Sequence, residues 1–217
     1  MATFVSLGCD CHPAHVLSTL GLRQEAYPFD WLDTDSSVAL KYVEQNIRES
    51  FQSFVLNIAH ASDDNIPYAS NFPQSRFLHH QDISTNVAVQ SSFQRRGIRF
   101  MNTFRDATPL TPLILLHNVK STHVSDDFIR SVHSLDTFIQ QHDSVGKVGC
   151  PVRLWIYIRY DEPSDIINES EACVCLANGS FGITTVIRYC RHQSTYGIWG
   201  NPMNYRLLLE EFVVCDV

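Results

Sequence analysis

An apolar run, Phe4-Val5-Ser6-Leu7, breaks at Gly8, and five residues later Pro13 opens a second apolar stretch that reaches Leu20. Glycine suits a tight turn, and proline suits the first turn of a helix, where its missing N–H is no loss. The pattern predicts a strand over residues 3 to 7, a turn, and a helix to about Leu20 that stops at Gly21. Cys11 then falls at the helix N-terminus. Unpaired amides and the positive end of the helix dipole stabilise thiolate over thiol there and lower a cysteine pKa. Cys11 is therefore the first candidate nucleophile. The structural alternative is a small buried hydrophobe, a common fate of free cysteine.

Further along, Asp35 or Ser36 can cap a second helix whose apolar positions Leu40, Val43, Ile47, Phe51 and Phe54 recur at three and four residues. From about Asn57 to Arg76 the chain turns polar, with Pro67 and Pro73, and no period survives; this reads as a long loop and a candidate lid. Residues 86 to 106 place Val89, Phe93, Phe100 and Phe104 on one helical face despite Gly97, and a strand follows at Pro112 to His117. Ser125 caps a fourth helix carrying Phe128, Val132, Leu135 and Ile139. Val152 to Tyr160, Ala172 to Leu176 and Ile183 to Cys190 read as strands, and a helix closes the pattern near Asn201 to Glu211. With no repeat, low-complexity tract or linker, the expectation is a single α/β domain over 1–217, helices mostly in the N-terminal two-thirds and strands enriched toward the C-terminus.

Charge and cysteine usage narrow the function classes. Sixteen basic against 23 acidic residues give a formal net charge of -7, which repels a polyanion. The basic cluster Arg95, Arg96, Arg99 and Arg105 lies on a predicted helix and supplies at most one anion-sized site, so nucleic acid is not an expected partner. No stretch is apolar for long enough to span a bilayer, and the N-terminus lacks the basic region of a signal peptide. Seven cysteines, an odd number, fit reduced thiols in a cytoplasm, including a host cytosol for a viral or injected protein. The chain carries no phosphate-binding glycine loop, dinucleotide fingerprint, His-Glu-x-x-His or Gly-x-Ser-x-Gly motif.

A resemblance sharpens the reading. Ser6-Leu7-Gly8-x-x-Cys11, then Gly21-Leu22-Arg23, then Pro28-Phe29-Asp30-Trp31, resembles the papain-like cysteine peptidase family of domains of unknown function. Phe77-Leu78-His79-His80 resembles that family's Phe-x-His block. Phe93-Gln94-Arg95-Arg96-Gly97-Ile98-Arg99-Phe100 resembles its Arg-Arg-x-x-Arg-Phe helix, followed by the apolar strand Leu113 to Leu116. The match runs over roughly residues 4 to 117. It implies a papain-like or related three-layer α/β arrangement, a protein or peptide substrate, and His79 as the base. Cys9 departs from the family pattern, which needs no cysteine there, and is the alternate nucleophile.

Cysteine catalysis needs a thiolate, a histidine that takes and returns its proton, and a polar group that holds the imidazole. Neighbours on an extended segment face opposite ways, so only one of His79 and His80 can serve, and His80 is the alternate. Both also fit a backbone-capping or solvated role. Asp30, between Phe29 and Trp31, is the leading orienting carboxylate and Asp82 the alternate; Asp30 fits a turn-capping role equally well. Arg23 and Trp31 are candidate substrate-binding residues. Oxyanion donors are expected from the backbone at Cys11 and His12. Cys9, Cys11, His12 and His15 offer metal ligands, as do Cys173 and Cys175, but Pro13 and the spacing are poor for zinc, and no metal or cofactor is expected. His192 and Trp199 are further pocket candidates. The leading expectation is a thiol enzyme acting on an acyl or amide bond by hydrolysis, deamidation or acyl transfer. Its rival is a noncatalytic interaction module that keeps the fold.

Overall fold

The computed structural model describes residues 2–143, 151–163 and 184–210. Four strands, β1 (Thr3–Ser6), β6 (Leu113–Lys120), β7 (Val152–Tyr160) and β8 (Thr185–Arg191), form an all-parallel sheet in that order. Its register pairs Thr3 with Leu113, Leu113 with Val152 and Leu154 with Thr185. The central strands β6 and β7 are near-continuous apolar runs, as a parallel sheet covered on both faces requires. Alternation along them sorts the core into two layers. Val5, Leu113, Leu115, Val119, Val152, Leu154, Ile156 and Ile158 face one way, against α2 (Ala39–Arg48), α3 (Val87–Asp106) and α4 (Asp126–Asp143). Phe4, Ile114, Leu116, Trp155 and Tyr157 face the other way, against α1 (His12–Thr19) and α5 (Pro202–Leu208). The expected α/β class and three-layer arrangement are present.

Several elements follow the sequence closely. The helix α1 ends before Gly21, which takes a left-handed φ of 70°. Helix α3 runs through Gly97, and Asn86 caps it, its side chain accepting from the amides of Ala88 and Val89. At the start of α4 the Ser125 hydroxyl accepts from Phe128 N at 3.2 Å. Buried Asp136 of α4 accepts hydrogen bonds from Thr184 and Thr185, which ties this helix to the start of β8.

Other expectations are corrected. Helix α2 stops at Arg48, because Ser50 and Phe51 take φ of 50° and 58°; Phe51 and Phe54 reach the core from turns instead. Asp35 does not cap it: its carboxylate holds Ser37, and Val38 occupies the capping position. The expected loop over 57–76 is three short strands, β3 (Ile58–His60), β4 (Pro67–Ala69) and β5 (Phe72–Arg76). With β2 (Asp33–Thr34) they form an antiparallel sheet in the order β2-β5-β4-β3. Buried Phe72 and Phe77 anchor this segment beside Tyr42 and Phe54, so it is packed structure and not a lid. The expected strand at 172–176, with Cys173 and Cys175, lies outside the described residues.

Candidate active site

The turn from β1 into α1 sits at the carboxyl end of the parallel sheet, where open α/β sheets bind their ligands. Gly8 has φ 74°, and a Cβ on it would lie 2.8 Å from the Phe29 carbonyl oxygen, so only glycine fits. Cys9 follows with φ 89°, and its carbonyl accepts from Thr34 N at 2.8 Å. The segment 29–34 therefore lies along the turn. Asp10 fastens the turn to the sheet: one carboxylate oxygen accepts from His12 N at 2.9 Å and the other from the Arg159 guanidinium at 2.6 Å. Burial would lift the Asp10 carboxyl, but Arg159 and the His12 amide outweigh it and hold it below the usual range.

Cys11 occupies the N-cap of α1, half-buried, and its carbonyl accepts from His15 N. Its thiol is pushed up, first by burial and then by the Asp10 carboxylate; its own amide and Arg159 pull the other way and lose. The low thiol pKa expected from a helix N-terminus is thus overturned by desolvation and an adjacent negative charge. Cys9 is pushed up further by the same two causes. One expected oxyanion donor is also spent, since the His12 amide serves Asp10.

His12 belongs to a cage on the α1–α5 face. Its Nδ1 is 2.8 Å from the Tyr157 hydroxyl and its Nε2 is 3.2 Å from the Trp199 carbonyl, with the rings of Tyr205 and His192 at 4.7 and 5.4 Å. Burial, helped by Arg159, drives the His12 pKa down to about 3, which keeps the imidazole neutral. His15 stacks on Trp199 at 3.9 Å. Cys9, Cys11, His12 and His15 thus serve different neighbourhoods, and among the described residues no group of three such side chains gathers to hold a metal.

The other predicted residues form one chain of contacts. Asp30, buried, accepts from Tyr27 N at 2.8 Å and from Arg23 at 2.6 Å. The Arg23 guanidinium lies 5.8 Å from the Trp31 ring centroid, and Trp31 meets His79 edge-on at 5.6 Å. Asp30 touches Arg23 and not His79. Burial raises the Asp30 carboxyl against the pull of Arg23. His79 is exposed, and among the described residues no hydrogen bond joins it to Cys11. His80 turns inward, edge-on to Phe93 at 4.9 Å, with its Nε2 buried and unpartnered. Asp82 holds the side chain of Asn86 at 2.6 Å and so supports the α3 cap. The arginine cluster disperses: Arg96 lies over Phe93, Arg99 reaches Ala26 O and Glu25, and Arg105 bonds Met101 O.

Beside the turn opens a cleft of about 650 Å³, bounded by Cys9 and Asp10, by Asp33 to Ser37 from β2 and the turn after it, by Arg76 of β5, by Lys120 and Arg159 near the ends of β6 and β7, and by His123 from the turn after β6. A model of the family described as "Putative papain-like cysteine peptidase" matches residues 2–191. The chain belongs to that family. It is also similar to an uncharacterised protein of Acanthamoeba polyphaga mimivirus, 39% identical over 51 residues, a stretch that covers 24% of this chain and 23% of the viral one. No solved structure matches it.

Sequence reasoning did not single out the charged residues that line this cleft, Asp33, Asp35, Lys120, His123 and Arg159. Arg159 left one legible trace, a charged residue directly after the apolar run Leu154 to Ile158. Its pairing with Asp10, 149 residues away, is visible only in space. Among the described residues no helix is long and apolar enough to cross a membrane.

Proposed function

We propose that the chain is a thiol enzyme of acyl transfer acting on amide or isopeptide bonds, with Cys11 as nucleophile and His79 as the proton carrier. The observation that carries this reading is the contact chain Asp30–Arg23–Trp31–His79, which gathers four separately chosen residues along the segment that borders the Cys11 turn. In this reading Asp30 does not orient the imidazole directly. It fixes Arg23, Arg23 lies against Trp31, and the indole edge positions His79.

The Cys11 thiol, protonated at rest, gives its proton to His79 as sulfur attacks the acyl carbon. The tetrahedral intermediate collapses, its C–N bond breaks, and the amine leaves with the proton from His79. Water, deprotonated by His79, then attacks the thioester and releases a carboxylic acid and the thiol. Ammonia as leaving group makes the same cycle a deamidation, and an amine in place of water makes it an acyl transfer. The reading takes the chain to work in a cytoplasm, its own or a host's, where the thiol stays reduced.

The raised Cys11 thiol favours a second reading, a noncatalytic interaction module. A peptidyl vinyl sulfone separates the two, with labelling of each cysteine followed by mass spectrometry. Under the enzyme reading Cys11 labels about a hundredfold faster than Cys9 or Cys190, and His79→Ala removes most of that advantage. Equal, slow labelling of the cysteines, unchanged by His79→Ala, moves the module to first place.

A further inference from the structure

We infer that the cleft beside the Cys9–Cys11 turn binds a short peptide with both ends free, its ammonium against Asp33 and Asp35 and its carboxylate against Lys120, His123 and Arg159. As a substrate site this rests on the thiol-enzyme reading; as a binding site it does not.

Several charges around the cleft are already committed. Asp10 is paired with Arg159 and bonded to His12, and Arg76 is paired with Asp64. Among the described residues the Asp33 carboxylate has no ion pair or hydrogen-bond donor, and the Asp35 carboxylate accepts hydrogen bonds only from Ser37. Both carboxylates stand on the wall built by β2 and the turn after it. Asp33 is half-buried; its cross-strand neighbour Arg76 pulls on it through space but is ion-paired to Asp64, and burial together with Asp10 outweighs that pull and raises the Asp33 carboxyl.

The opposite wall is short of an anion. Lys120 and His123 are exposed and, among the described residues, make no ion pair. The Arg159 side chain is 6% exposed, yet its Nε is buried with no partner while another nitrogen of the same guanidinium holds Asp10. A buried guanidinium N–H without an acceptor is costly unless a ligand supplies one. The Asp35 carboxyl is lowered first by its hydrogen bonds from Ser37 and only in smaller part by His123 across the cleft.

Complementarity therefore selects a ligand with separated charges of both signs. A simple anion meets Asp33 and Asp35, and a simple cation meets Lys120 and Arg159, whereas a zwitterion answers both walls and leaves the net charge unchanged. The volume, about 650 Å³, suits a ligand of a few residues and not a folded protein.

The test is isothermal titration of the full chain carrying Cys11→Ser with tetraalanine, its N-acetyl form and its C-terminal amide. Blocking either end should weaken binding about tenfold. Asp33→Asn should erase the penalty for acetylation and leave that for amidation, and Lys120→Met should do the reverse. Asp35→Asn, at an exposed position, replaces Asp33→Asn if the latter does not fold. No heat with the free peptide, or equal affinity for the capped forms, overturns the proposal. Because Cys11 is absent from this experiment, tetraalanine binding with a failed vinyl sulfone assay keeps the cleft and discards the enzyme, and the converse pair of results discards the cleft alone.

Discussion

Asp10 and Arg159 are joined by one short ion pair but are not equivalent partners. The Arg159 side chain is 6% exposed and that of Asp10 32%. Asp10→Asn leaves a buried guanidinium that cannot shed its proton, a situation that costs about 3 kcal/mol in buried pairs. Arg159→Met leaves a carboxylate that is one-third solvated, still caps His12, and can take up a proton; solvent screening reduces its cost to about 1–2 kcal/mol. Urea unfolding of the two variants at pH 7 should rank Asp10→Asn as the less stable, and the opposite ranking would refute this account. The same pair marks the limit of sequence reading at this scale. Cys11, Arg23, Asp30, Trp31 and His79 were legible because local motifs carry them. The chemistry around Cys11 was not, since the helix N-terminus is only one of several influences on the thiol, and the larger ones, burial and Asp10, depend on how the turn packs.

Among the elements, α3 meets the aromatic cluster through a glycine. A Cβ on Gly97 would lie 2.8 Å from Phe51 Cβ and 3.0 Å from its Cγ, and Phe51 is held by a left-handed backbone and by ring contacts with Phe29, Phe54 and Phe100. Helix propensity alone would make Gly97→Ala stabilising by about 1 kcal/mol. Overpacking against an immobile ring should reverse the sign, to a loss of about 1–3 kcal/mol. Gln94→Ala, on the exposed side of the same helix, should be near neutral. A stabilised Gly97→Ala in thermal unfolding would mean that Phe51 can move. Helices α2 to α4 were readable from their three- and four-residue periods, and β1, α1, β6 and β7 from apolar runs bounded by glycine or proline. Strands β3 to β5 were not: they span three to five residues each and carry Pro67 and Pro73, and their pairing supplies what their periodicity lacks.

Across the whole molecule, buried histidines set the response to acid. His117 lies in β6, fully buried against Phe128, with both ring nitrogens unpartnered. Burial, more than the opposed fields of Asp10 and Arg159, lowers its pKa to about 3. His12, in its cage, is lowered in the same direction. In the unfolded chain such histidines titrate near pH 6.5. Between that value and about 3 the unfolded state therefore binds more protons than the folded state, and stability must fall as pH falls through this window. Asp30 acts in the opposite sense, because burial raises its carboxyl and protonation relieves the folded state, but only in the carboxylate range. The depressed Asp10 adds its loss lower still. From pH 7 to pH 5 the histidines dominate, and His117 alone should remove on the order of 1–2 kcal/mol. Urea midpoints measured at both pH values should drop on acidification. His117→Phe, which keeps a ring against Phe128 and removes the group that must stay neutral, should flatten that drop. If this variant keeps the full dependence, the acid response belongs to His12 and its cage at the carboxyl end of the sheet, and acid would then loosen the Cys11 turn before it loosens the central strands.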